Sequence, residues 1–493
     1  VRIAEIPSLP GLDEHAAVAH LTGAVAALRS AAAEARPALH GRTLWMINST
    51  EQGGGVAEML PGMVTLLREC GLDVHWGVIE SPDPRFFEFT KRIHNLIHDA
   101  GEPEISPEDV ALYEEVNRRN ALELLRRLKP GDIVAIHDPQ PLAMAPLLRE
   151  RADVHIIWRC HIGLDEHTPR TEAAWRLLQQ YTPACDRVIF SAPEYVPESL
   201  SERSEIIHPA IDPLAPKNAD LSLHAVVCIL ASSGLTGVGP VVPPPFEHQV
   251  ERIGFDGRLV KAAQMDEIGL LSRPIVLQVS RWDHLKGFLP LMHAFVRMKA
   301  LATSETGRAR RRALLARLVL AGPAVGAVTD DPEARDVLDT LVRAYVELPP
   351  ATQEDIAILL LPMESRNENA LIVNALQRAA SIVAQNSLRE GFGLTIAEAM
   401  WKRVPVLTSA AAVGPRTQIV DGEHGRLVRD PQDVEELARV LGQMLQQPEE
   451  RARWARNAQR RAHDEFMIFT QLRRWLEVCR EVVEESASVA GHD

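Results

Sequence analysis

SIVAQNSLREGFGLTIAEAM, Ser381 to Met400, holds the pattern from which the rest of the chain can be read. An apolar β-type run ends near Gln385, two glycines bracket Phe392, and apolar residues then recur at helical spacing, which predicts strand, tight turn and helix. Gly391 and Gly393 let the backbone turn sharply and approach a ligand, and a helix opening at Leu394 and Thr395 offers free N–H groups and a dipole to an anion. Glu390 precedes the turn, and Glu398 lies about 5 Å along the helix beyond Thr395. Two carboxylates with a helix terminus between them do not flank one bond as a glycosidase pair does. They suit hydroxyl binding: with a diphosphate on the Gly391–Thr395 amides, Glu398 would accept from a ribose diol and Glu390 from a sugar. The plainer alternative is a helix N-terminus whose acids complement its dipole.

A second turn of the same kind follows another apolar run in VSRWDHLKGF, Val279 to Phe288. Arg281 offers a planar fork and Lys286 a compact charge, so the pair can meet one diphosphate in a turn that Gly287 permits. No Walker loop or acidic metal cluster is evident in the sequence, so these cations would stand in for a metal in neutralising a departing nucleotide. No protein-bound metal or Mg²⁺ site and no resident cofactor are expected.

Working outward, short β-type runs alternate with longer helical runs, the pattern of parallel sheets covered on both faces. In the first half the expected strands are Thr43–Asn48, Val74–Ile79, Ile133–His137, Val154–Trp158, Arg187–Ser191 and Glu205–His208. In the second half they are Ile275–Val279, Leu315–Ala321, Ile356–Leu361, Ser381–Gln385, Val404–Thr408 and Arg426–Val428. Helical stretches fill the gaps; within Ala111–Leu128 the residues Leu112, Val116, Ala121, Leu122, Leu125 and Leu128 predict one apolar stripe. A chain of 493 residues exceeds what one core usually supports. The expected fold class is therefore α/β with two doubly wound, Rossmann-like domains: 1–220, a linker or insertion at 221–271, 272–462, and a terminal helix at 463–493. Ala225 to Val242, rich in Gly, Ser and Pro, is too broken to span a membrane and reads as a loop. Ligands of such sheets collect outside the carboxyl ends of the strands, so each domain should offer one lip of a cleft.

First-half turns fit that placement. Gly53, Gly54 and Gly55 follow a strand and open a helix, and Gly54 and Gly55 would bring amides to the donor. His137, Asp138 and Gln140 follow one strand, and Arg159 and His161 another, so these five residues predict an acceptor pocket. A metal bound by His137, Asp138 and His161 is disfavoured because their spacing across strands is not a recognisable ligand pattern.

Net charge is −14, which argues against a broad nucleic-acid or anionic-membrane face, so any phosphate site must be local and the expected partners are small molecules. The five cysteines lack CxxC spacing and are odd in number, which fits a reducing cytoplasm rather than a disulfide framework. Early acids (Glu5, Asp13, Glu14) and the lack of a compact apolar block predict no export signal. The oligomeric state is left open, a homodimer included.

SRxxxxKG followed by EGFGLTIAEA resembles the retaining GT-B glycosyltransferases of the glycogen synthase and sucrose synthase type, carbohydrate-active family four. A narrower resemblance, to nucleotide-sugar-dependent trehalose synthases, rests on NSTEQGGGVAEML (Asn48–Leu60), HDPQPL (His137–Leu142), WRCHIG (Trp158–Gly163) and Asn374–Lys402, and spans about Trp45 to Val428. The resemblance implies a GT-B fold whose terminal helices pack back toward the N-terminal domain. It also implies transfer of glucose, with retention, from ADP- or UDP-glucose to free glucose, reversibly. Arg281, Lys286, Glu390 and His161 would be the catalytic set, with Phe392 and Leu394 in the donor turn. Where relatives carry a glycine-rich loop after the second glutamate, Thr408 to Val413 is alanine-rich before Gly414, which puts sugar or acceptor preference in question. The competing functions are a retaining transferase for another sugar, sugar phosphate or polyol, a phosphorylase, or a non-catalytic nucleotide-sugar scaffold.

Overall fold

The computed structural model describes residues 1–51, 55–237, 244–304, 306–325 and 333–490. The chain divides into two compact units, Val1–Asp212 with Glu465–Asp493, and Pro213–Asp464.

The first unit is built on a seven-stranded sheet of β1 (Arg2–Ile3), β2 (Thr43–Asn48), β3 (Asp73–Val78), β4 (Ile133–His137), β5 (His155–Arg159), β6 (Arg187–Phe190) and β7 (Ser204–Ile206), in the order β1-β3-β2-β4-β5-β6-β7. All pairs are parallel except β1 on β3. Every residue of β2, β4 and β5 is buried, as expected of strands covered on both faces. The chain runs from β2 out to β3 and returns to β4 on the other side, so the turns after β2 and β4 sit at a topological switch point. The helix Ile468–Ala490 returns to this unit, and Leu472, Trp475, Leu476, Cys479 and Val482 bury one stripe at about 2 kcal/mol per large apolar side chain.

The second unit holds β8 (Glu251–Ile253), β9 (Leu259–Lys261), β10 (Ile275–Val279), β11 (Arg317–Pro323), β12 (Ile356–Leu361), β13 (Ile382–Gln385), β14 (Val406–Ser409) and β15 (Gly425–Val428), ordered β15-β14-β13-β10-β11-β12-β8-β9. β10 to β15 are mutually parallel, with β8 and β9 added antiparallel at one edge. β10 pairs with both β11 and β13, so the chain reverses its direction of winding there, and the turns after β10 and β13 adjoin.

Two expectations are corrected. The stretch read as a loop begins with a helix, Leu223–Ser232, whose N-cap Ser222 accepts from Ala225 N; its Gly and Pro residues fall after Ser232 and leave LHAVVCILAS uninterrupted. Residues 238–243 of that stretch lie outside the described residues. The helix over Pro107–Leu125 buries Tyr113, Val116, Asn117, Asn120, Ala121 and Leu124, while Leu122 is exposed. Its inner face is turned because polar side chains find partners there: Tyr113 Oη donates to Pro139 O at 2.5 Å, Asn117 Nδ2 to Gln140 O at 3.0 Å and Asn120 Nδ2 to Glu80 O at 2.9 Å. A hydrophobicity count is blind to that.

Candidate functional site

In the second unit the turns after β10 and β13 interlock. Gln278, buried in β10, donates through Nε2 to Lys286 O at 2.7 Å and accepts from Asn386 N at 3.1 Å. Asn386 Nδ2 donates to Gly287 O at 3.1 Å, and Leu388 N to Leu285 O at 2.8 Å. Trp282 is fully buried with its indole N–H on Pro323 O at 2.8 Å, whereas Arg281 beside it is exposed and no hydrogen bond or ion pair holds it among the described residues.

Lys286 Nζ meets Glu390 Oε2 at 2.7 Å, with both side chains about 15% exposed. The same carboxylate oxygen accepts from Ser387 Oγ at 2.9 Å and Gln385 Nε2 at 3.2 Å. Gly393, at φ 84°, opens the helix Leu394–Trp401. The turn is buttressed from the far side: Gln418 Nε2 donates to Phe392 O at 2.6 Å, and a Cβ at Gly414 would lie 2.4 Å from Phe392 Cα. The short helix Val413–Gln418 therefore rests on the Gly391–Gly393 turn. Glu398 is nearly buried, takes a hydrogen bond from Gln377 Nε2 at 3.3 Å on Oε2, and faces Lys217 Nζ at 4.0 Å on Oε1.

In the first unit, β4 and β5 end side by side, with His137 in register with Arg159. Asp138 takes φ 65°, so its N–H reaches Arg159 O at 2.7 Å and its Oδ1 accepts from His161 N at 2.8 Å. His137 Nδ1 and His161 Nε2 are 3.1 Å apart, and the ring of His137 also stacks on Trp475 at 5.7 Å.

Residues 46–197 match the family described as trehalose synthase, N-terminal domain, and residues 365–461 match glycosyl transferases group 1. The trehalose synthase of Pyrococcus horikoshii is 33% identical over 443 residues, covering 89% of this chain and 90% of its own. The chain belongs to the trehalose synthase family.

It is accordingly a trehalose-related glycosyltransferase, and its fold is GT-B. A solved α,α-trehalose 6-phosphate synthase from Burkholderia multivorans is similar with a TM-score of 0.64 at 18% identity, over 91% of this chain and 98% of its own. The E. coli trehalose-6-phosphate structure bound with UDP-2-fluoro glucose is similar with a TM-score of 0.61 at 17% identity, over 89% and 99%.

The sequence-derived residues divide accordingly. Arg281, Lys286, Glu390, Gly391, Phe392, Gly393, Leu394 and Thr395 share one pair of adjoining turns, with Phe392 buried beneath them. Glu398 lies farther along the helix that opens there, Gly55 is exposed at the start of the helix Gly55–Glu69, and Gly53 and Gly54 lie outside the described residues. His137, Asp138 and His161 form one cluster. Arg159, expected at the acceptor, is instead wholly buried: its guanidinium donates to Phe190 O at 2.8 Å and Ile207 O at 2.5 Å, so it holds backbone and not ligand. Gln140 Oε1 is buried without a hydrogen-bond partner among the described residues. Among the described residues no group of three His, Cys, Asp or Glu side chains is arranged for a metal, and no helix is long and apolar enough to cross a membrane.

Sequence reasoning missed the amides Gln278, Gln377, Gln385, Asn386 and Gln418. Gln278 and Gln385 carried a signal, since a polar residue inside an apolar parallel strand needs a partner.

Burial sets the charges of the first-unit cluster. It drives His137 down to about 3, with Arg159 adding to the effect, drives His161 well below the ordinary imidazole value, and raises Asp138 to about 6 against the opposing pull of the His161 N–H and Arg159. Both imidazoles are neutral at pH 7, so one donates to the other. For the histidines the unfolded chain binds more protons below 6.5, so stability falls with acid; for Asp138 the folded chain binds more between 3.8 and about 6, so its contribution falls as pH rises. Asp138→Asn, which keeps the acceptor for His161 N, should raise the melting temperature more above pH 6 than near 3.8. An equal gain at both ends would show Asp138 to be an ordinary solvated acid.

Proposed function

We propose that the protein is a retaining glucosyltransferase that moves glucose from a nucleoside diphosphate glucose, ADP- or UDP-glucose, to free glucose and yields α,α-trehalose reversibly. The observation that carries the reading is the meeting of Arg281, the Lys286–Glu390 pair and the opening of the helix Leu394–Trp401 at the switch point of the second sheet. Arg281, Lys286 and the Gly391–Thr395 amides hold the diphosphate, Glu398 the ribose, and Glu390 the transferred sugar. His161 binds the sugar near its reacting face, His137 and Asp138 orient His161, and Arg159 fixes the strand ends beneath them.

The acceptor hydroxyl attacks on the face from which the nucleotide leaves. The bond between the anomeric carbon and the phosphate oxygen breaks, the new glycosidic bond forms, and the departing oxygen takes the acceptor proton. No protein nucleophile is then needed; catalysis rests on positioning and on neutralising the leaving diphosphate. The five cysteines are free, which supports a cytoplasmic location.

ADP-, UDP- and GDP-glucose incubated with glucose, with nucleotide release and α,α-linked product followed together, test the reaction. Release with a different product would favour another acceptor, and no release with any sugar would favour a binding scaffold. Arg281→Ala should lower kcat/KM for the donor about 100-fold without shifting the melting temperature, because the guanidinium is exposed and makes no hydrogen bond or ion pair among the described residues. Unchanged kinetics would remove Arg281 from the diphosphate site.

A further inference from the structure

Lys402 has no place in the chemistry above, yet it is one of the few lysines in this chain whose ammonium is buried, with 6% of the residue exposed. It caps the helix Leu394–Trp401. Its Nζ donates to Gln377 Oε1 at 2.6 Å, to Asn218 Oδ1 at 3.2 Å and to Glu398 O at 3.4 Å, which uses the three protons an ammonium has. Gln377, also fully buried, in turn donates Nε2 to Glu398 Oε2 at 3.3 Å.

The direction of that relay is dictated by chemistry. An ammonium has no lone pair, so Gln377 must turn its oxygen to Lys402 and its amino group to Glu398. The reverse orientation would set an amide oxygen against a carboxylate and an amino group against an ammonium, each repulsive in a buried site. Resting on the reading of Glu398 as the ribose-binding acid, we propose that Lys402, acting through Gln377, is a positioning residue that fixes the Glu398 carboxylate for recognition of the donor's ribose hydroxyls. One oxygen is thereby occupied and the other is left to the side of Lys217. The relay also ties the donor helix to the segment just after the first unit, since Trp401 Nε1 donates to Asn218 O at 3.1 Å and Asn374 Nδ2 to Ala219 O at 2.9 Å.

The groups facing Lys402 are Glu398 on its own helix, Arg378 on the helix Arg366–Ala379, and Lys217. Burial drives its ammonium down to about 7; Glu398 opposes that, and Arg378 and Lys217 reinforce it. Below that value the relay is set, and above it the amide is free to turn.

The test compares wild type with Lys402→Met on the nucleoside diphosphate glucose that the donor panel selects and on its 2′-deoxyribose counterpart. With the natural donor, Lys402→Met should raise donor KM about tenfold, well beyond any change in acceptor KM, and with the deoxy donor by under about twofold. An equal rise with both donors would mean a merely structural role and would overturn the proposal. Glu398→Gln separates this from the underlying reading: if it leaves donor KM unchanged, the ribose assignment has failed, whereas if it raises KM and Lys402→Met does not, the relay alone has failed. Should Lys402→Met not fold, wild-type donor KM against pH decides. KM should rise as pH passes upward through about 7, and that rise should vanish in Glu398→Gln; a flat wild-type profile overturns the relay.

Discussion

Glu390→Ala should lose about 10²- to 10³-fold in kcat while the protein still binds free nucleoside diphosphate. Glu390 Oε2 gathers Lys286, Ser387 and Gln385 on one atom, so the carboxylate is a fixed object at the turn and not a side chain sampling solvent. A group held so firmly before the sugar arrives costs little to organise when the bond from the anomeric carbon to the phosphate oxygen breaks. Removing it also leaves the Lys286 ammonium, about 15% exposed, without its anion; the destabilisation should be about 1–3 kcal/mol, less than for a fully enclosed pair. The freed lysine can turn to a phosphate, so affinity for the nucleotide should hold or rise as turnover collapses. Glu390→Gln should keep more of the stability but little of the activity. Isothermal titration with the nucleotide beside a product assay reads both halves, and normal turnover by Glu390→Ala would sink the assignment.

That pair also shows which parts of the site were legible in sequence. The acids, cations and glycines stand out because each is chemically conspicuous at the end of an apolar run, and the runs IVLQV and IAILLL became β10 and β12 without a shift at either end. The pairing was not legible: Lys286 and Glu390 were given separate ligands, and only the neighbouring positions of β10 and β13 bring them within 2.7 Å. Neutral amides carry no signature, although they align both turns. The hairpin of β8 and β9 escaped because its strands are short, and Glu251, Arg252 and Lys261 interrupt any apolar alternation. Arg159 was misplaced for a related reason. A cation at a strand end reads as a ligand contact until the carbonyls of Phe190 and Ile207 are seen to surround it.

Gly287→Ala should be among the most damaging single methyl additions in the second unit. Gly287 sits at φ 59° between the turn His284–Lys286 and the helix Phe288–Ala302, a conformation that costs an alanine about 1 kcal/mol on its own. The larger penalty is steric: its Cβ would lie 2.2 Å from Asn386 O and 2.8 Å from Asn386 Nδ2. Asn386 cannot swing away, because the clashing oxygen is backbone and its amide already bridges Gly287 O and Pro431 O. The two turns must separate, and the bonds from Leu388 N to Leu285 O and from Asn386 N to Gln278 go with them. A loss of about 2–4 kcal/mol is expected, with nucleotide affinity falling more than tenfold as the turn that carries Lys286 moves away from the Gly391–Thr395 amides. Gly422→Ala supplies the control: its φ of 73° carries the same conformational penalty, but nothing lies within 4 Å of the added methyl. The difference in unfolding midpoint between the two variants measures the interlock of the turns with backbone strain cancelled. If Gly287→Ala were no worse than Gly422→Ala in stability and bound nucleotide equally well, the adjoining turns would not be the rigid base on which the donor site is built.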